Sequence, residues 1–78
     1  MGEHESEEVL DLKGLKCPLP ALMTRRRLSA LPEGATLTVI ADDPMAAIDV
    51  PHMCRTEGFD VLEIVRDGDV TRFVLKRG

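Results

Sequence analysis

Two cysteines, Cys17 and Cys54, carry the strongest nucleophiles in the chain, and the first stands in the run Cys17-Pro18-Leu19-Pro20, just ahead of the helix-like stretch ALMTRRRL. A thiol reacts through its thiolate, so pKa and exposure decide what it can do. Pro18 suits the first position of a helix, which makes Cys17 the expected N-cap. There the positive end of the helix dipole favours an anion by about 0.3–1 kcal/mol, well under one pKa unit. Lys13 and Lys16 add positive potential, so the expectation is a poised thiol that is mostly protonated at neutral pH. The prolines also remove amide donors from the first turn and leave that of Leu19, so the site is no cradle of amides for an anion. What they supply is stiffness. Pro18 holds Cys17 extended, and both rings fix their own φ angles, so the sulfur is aimed in one direction.

The partners that familiar thiol chemistry requires are missing from the sequence. A cysteine hydrolase pairs its nucleophile with a histidine base. The candidates are His4, near the N-terminus, and His52, in the second helical segment, and nothing in the sequence puts either beside Cys17. A dithiol oxidoreductase needs a resolving cysteine at Cys-x-x-Cys spacing, where this chain has proline. Cys54 reads more simply as a small core residue. Structural zinc wants four ligands with local pairing, which Cys17, Cys54, His52 and His4 do not offer, so neither a metal nor a cofactor is expected. A lone, stiffly held, exposed thiol on so short a chain suits a carrier whose sulfur visits the active sites of other proteins. An adaptor or regulatory module in which Cys17 merely caps a helix is the alternative from another class.

Seventy-eight residues make one domain, near the lower limit for a self-sufficient hydrophobic core. Apolar residues reach 44% but aromatics only 3%, which predicts an aliphatic core. A net charge of −4 argues against direct nucleic-acid binding, which runs on an excess of Lys and Arg. No stretch is apolar enough to span a membrane, and MGEHESEE is acidic where a signal peptide would be basic, so a cytoplasmic protein without membrane partners is expected.

Residues 1–7 read as a disordered acidic tail and 8–78 as a single domain. A short strand is expected over 8–12, and then a helix from Pro18 that Pro32 and Gly34 close. On that helix Ala21, Thr24, Leu28 and Leu31 share the core-facing stripe, while Leu19 and Met23 fall outside it. ATLTVIA, 35–41, is the clearest strand. Asp43 before Pro44 signals the next N-cap, and Pro51 predicts a short turn at 44–48, a break, and a helix over 50–57 ended by Gly58. Strands over 59–65 and 70–77 meet at Asp67-Gly68, a hairpin signal. The order β-α-β-α-β-β predicts an α/β (α+β) two-layer sandwich, with a four-stranded mixed sheet and both helices on one face. Leu19, Met23 and Arg26 share one side of the first helix and form the expected docking surface near Cys17. Arg25 to Arg27 read as a solvated helix face before they read as an RNA site.

GLKCPLPALMTRRRL resembles the Cys-Pro-x-Pro signature of the TusA/SirA sulfur-carrier family, and IADDPMAAIDVPHMC resembles that family's second block. The likeness runs from about residue 9 to 77 with every element in order. It implies the same sandwich. It also implies that Cys17 takes sulfane sulfur from a cysteine desulfurase as a persulfide and relays it to a downstream acceptor protein, with Pro18 and Pro20 as its scaffold. The family's Asp-Asp-Pro falls on Asp42, Asp43 and Pro44, with Asp43 either a helix cap or a partner contact. Val50 stands where the family often has isoleucine, an isosteric change. The best-matched branch implies 2-thiouridine modification of tRNA; delivery to cofactor biosynthesis or sulfur oxidation is the alternative. Sulfurtransferase-type relay chemistry, rather than a stand-alone enzyme, is what the resemblance implies.

Overall fold

The structure is a computed structural model that describes residues 8–78, so the tail expected at 1–7 lies outside the described residues. Six elements follow in order: β1 Glu8–Asp11, α1 Leu19–Ser29, β2 Thr36–Ala41, α2 Ala46–Glu57, β3 Asp60–Asp67 and β4 Val70–Lys76. The sheet order is β1-β2-β4-β3, with β1 parallel to β2 and β4 antiparallel to both of its neighbours. Each helix therefore links two parallel strands, and the right-handed sense of such crossovers stacks both helices on one face. The expected mixed sheet and two-layer α+β architecture are present.

Alternation in β2 and β4 builds the core. Leu37, Val39 and Ala41 pair in register with Leu75, Phe73 and Thr71, and all six are buried beneath the helices. From the helix side Leu28, Ala46, Val50 and Cys54 complete the same cluster. The core is largely aliphatic, as the composition predicts, yet both phenylalanines, Phe59 and Phe73, are recruited to it. On α1, Thr24 and Leu28 are buried, with Ala21 and Leu31 packed against the cluster, as the expected stripe requires.

Four local expectations are corrected. Pro18, not Cys17, occupies the N-cap of α1, because its carbonyl accepts the first intrahelical bond, from the Leu22 amide at 3.2 Å. Cys17 sits one residue earlier, in a turn closed by the Leu19 amide on the Lys16 carbonyl at 2.8 Å. Pro51 does not break the second helix, which runs unbroken over Ala46–Glu57 with Pro51 inside it. Ala46, Val50 and Cys54 recur every fourth residue and are all buried, so core packing outweighs the local cost of the proline. Asp43 is not the N-cap of α2: Met45 holds that position, and Asp43 Oδ1 accepts only the Met45 amide itself, at 3.5 Å, with no side chain capping the first turn. Gly58 ends the helix as expected, at φ 82°, in the left-handed conformation that glycine adopts without penalty. The hairpin turn falls one residue later than expected, on Gly68-Asp69, with Asp67 still paired to Val70.

Candidate functional site around Cys17

Because β1 and β2 are parallel, the segments leaving their C-terminal ends emerge side by side, and the site forms where they meet. Leu12 anchors the first segment: it is buried, and its amide donates to the Ile40 carbonyl at 2.7 Å. The two acids directly after β2 then catch the loop. Asp42 Oδ1 accepts the Gly14 amide at 2.9 Å, and Asp43 Oδ2 accepts the Cys17 amide at 2.6 Å. The carboxylate expected to cap a helix instead fixes the backbone of the cysteine.

The thiol itself is exposed, and its Sγ donates to Asp49 Oδ2 at 2.9 Å. That contact reverses the expected electrostatics. Hydrogen bonding to Asp49, then partial desolvation and the negative charges of Asp49 and Asp43, raise the Cys17 pKa above the ordinary thiol value. The helix amide that was to face the sulfur, that of Leu19, is spent on the Lys16 carbonyl. Lys13 turns to Asp11, with Nζ 3.9 Å from Oδ2.

Cys17 opens onto a groove between the helices, about 380 Å³ in volume. Pro18, Ala21, Leu22 and Arg25 line it from the α1 side, and Asp49, His52, Met53 and Thr56 from α2. Both sets run i, i+3, i+4, i+7, the spacing of a single helix face. His52 thus shares a groove with Cys17, a proximity that the sequence did not reveal. Leu19, Met23 and Arg26 are exposed as expected but lie elsewhere on α1. Met23 and Arg26 line a separate hollow with Leu10, Arg27 and Ala30, where Arg27 Nη2 donates to Glu8 Oε1 at 2.9 Å. The large exposed apolar residue that lines the thiol groove from α1 is Leu22, which sequence reasoning passed over. Asp49 was passed over as well, although it lies within the quoted second block.

Cys54 is wholly buried in the core, and burial pushes its thiol up to about 11, with Arg55 opposing weakly. Of the two cysteines only Cys17 is accessible.

A family model described as sulfurtransferase TusA matches residues 8–77. The chain belongs to the TusA family of sulfur carriers. The "Putative sulfur carrier protein YrkI" of Bacillus subtilis is 36% identical to it over 74 residues, covering 95% of this chain and 99% of that relative. The crystal structure of a SirA-like protein from Desulfitobacterium hafniense superposes with a TM-score of 0.78 at 25% identity, covering 90% of this chain and 96% of that one. As in the sequence reading, the TusA match spans every element from β1 to β4. Among the described residues no helix is long and apolar enough to cross a membrane.

Proposed function

We propose that this TusA-family chain accepts sulfane sulfur from a cysteine desulfurase as a persulfide on Cys17 and relays it to a downstream acceptor protein, in the cytoplasm, with tRNA 2-thiouridine formation as its destination. The observation that carries the reading is Cys17 itself, the one accessible thiol, fixed at its backbone by Asp43 and opening onto a groove. A partner reaches such a sulfur without the carrier having to unfold or rearrange. Pro18 at the N-cap and Pro20, buried in the first turn, stiffen the backbone on either side of Leu19.

Loading is an exchange between sulfurs. Cys17 loses its proton, and its thiolate attacks the terminal sulfur of the donor's persulfide. The donor's S–S bond breaks, its cysteine sulfur leaves as a thiolate that takes up a proton, and a new S–S bond joins the transferred sulfur to Cys17. No external oxidant or reductant is consumed. Delivery repeats the exchange with the acceptor as attacking nucleophile.

Intact-mass spectrometry after incubation with a cysteine desulfurase, pyridoxal phosphate and cysteine tests the reading. The parent protein and Cys54→Ser are expected to gain the mass of one sulfur atom, reversibly by thiols, and Cys17→Ser to gain none. A gain that survives Cys17→Ser, or no gain in the parent, overturns it and favours the adaptor alternative.

A further inference from the structure

The carboxylate of Asp49 touches the sulfur that must become a nucleophile, and this contact has no counterpart in the sequence expectations. Asp49 lies half-buried in the first turn of α2, with Oδ2 2.9 Å from Cys17 Sγ. At that distance the two groups share one proton comfortably. With the proton gone, two anions stand in hydrogen-bond contact with nothing between them.

Among the described residues no cation pairs with Asp49 or with the sulfur to relieve this repulsion. From the segment preceding α2, Asp43 adds a second carboxylate, already engaged with the Cys17 amide. From α2 the groove also receives His52 and Glu57, and from α1 it receives Arg25. Lys16 is adjacent in the chain, on the solvent side. The carboxylate in direct contact with the sulfur therefore governs its proton.

We propose that Asp49 is a positioning residue that holds Cys17 as a neutral thiol aimed into the groove in the free protein, so that the thiolate forms only when a docked partner engages the Asp49 carboxylate. The proposal rests on the persulfide reading for its purpose, but not for its physics. It deepens that reading by stating what the donor must bring: a cationic or proton-donating group placed to pair with Asp49 as the sulfurs meet. In free solution the carrier's sulfur is shielded from electrophiles other than its donor.

The test is the pH dependence of iodoacetamide alkylation at Cys17, in full-length protein carrying Cys54→Ser so that one thiol reports. In Asp49→Asn the side-chain amide can donate to the thiolate, and the midpoint is expected to fall by about one unit, which is roughly tenfold faster alkylation near neutral pH. Asp49→Glu, which keeps the charge, is expected to stay within half a unit of the parent. An Asp49→Asn midpoint equal to or above the parent's, with an unchanged circular dichroism spectrum, overturns the proposal. A second measurement needs no variant at position 49. The Cys17 midpoint in the folded protein is expected to lie above that of the same chain unfolded in urea, and a folded midpoint at or below the unfolded one overturns it equally. A protein that shows both shifts yet takes no sulfur from the desulfurase leaves Asp49 in its role and overturns the persulfide reading instead.

Discussion

Asp43 illustrates how one side chain can be read correctly as important and wrongly as to why. An aspartate before a proline is a good helix-start signal, and the helix does start nearby, yet the short bond of the carboxylate, at 2.6 Å, is to the Cys17 amide, and its other oxygen reaches the Met45 amide only at 3.5 Å. The tertiary contact wins because the N–H of Cys17 has no partner within its own turn, and an amide bonded to a charged acceptor is worth more than an exposed cap. Replacing Asp43 by alanine is therefore expected to act on the loop before it acts on α2. Hydrogen exchange at the Cys17 amide should accelerate by an order of magnitude or more, with a stability loss of about 1 kcal/mol by urea titration. Protection lost from the amides of α2 instead of that of Cys17 would return Asp43 to the capping role. The same residue scale carries a statement about pH. The native state holds the Cys17 proton more tightly than the unfolded chain does, so this contribution to stability is complete below the unfolded thiol's pKa and fades as the pH rises through the folded one.

At the scale of elements, the strands were legible and the helices only partly so. TLTVIA alternates cleanly, and every second residue of it is buried, because a period of two has only two possible faces. A helix has many. The stripe of α1 against the sheet was found from Thr24 and Leu28, but the flank that meets α2 depends on where α2 lies, which no local pattern in α1 records. Hence the place of Leu22 and of the solvated Arg25 on the thiol groove went unforeseen, and Met23 and Arg26 were placed nearer the thiol than the structure places them. Pro51 misled for a related reason: its cost is local, and the burial that offsets it is not. One cost in α1 stays unrelieved. The Thr24 hydroxyl is buried in the core and has no hydrogen-bond partner among the described residues. Thr24→Val keeps the shape and removes the orphaned group, and is expected to raise stability by about 1 kcal/mol in a circular-dichroism melt. A destabilised variant would mean that the hydroxyl is satisfied in solution.

For the molecule as a whole, the order of elements sufficed to predict the architecture, since two crossovers and one hairpin leave few ways to close a four-stranded sheet. That architecture explains why a chain of 78 residues can carry a defined site at all: parallel β1 and β2 deliver the cysteine loop and the two acids to one end without any further domain. The thiol pair gives a global prediction as well. Burial raises Cys54 from 9.0 to about 11, so the folded protein keeps a proton that the unfolded chain releases, and stability is expected to fall as the pH climbs from 9 to 11. With no tyrosine in the chain, phenol ionisation cannot blur that decline. The Cys54 share of it should amount to roughly 2–3 kcal/mol in urea titrations, and that share should vanish in Cys54→Ala, leaving the contribution of Cys17, in a variant less stable overall because of its cavity.

On the proposed reading, in which Cys17 carries sulfur as a persulfide, the burial of Cys54 has a second effect, on the lifetime of the cargo. A persulfide within reach of a free thiol in the same molecule discharges itself: the thiol attacks the inner sulfur, a disulfide closes, and hydrogen sulfide escapes. In this fold the second thiol is held on the buried face of α2 with its proton retained, so a molecule loaded as proposed would have no internal route by which to spill its sulfur. On that reading the cargo leaves only when another molecule comes to collect it.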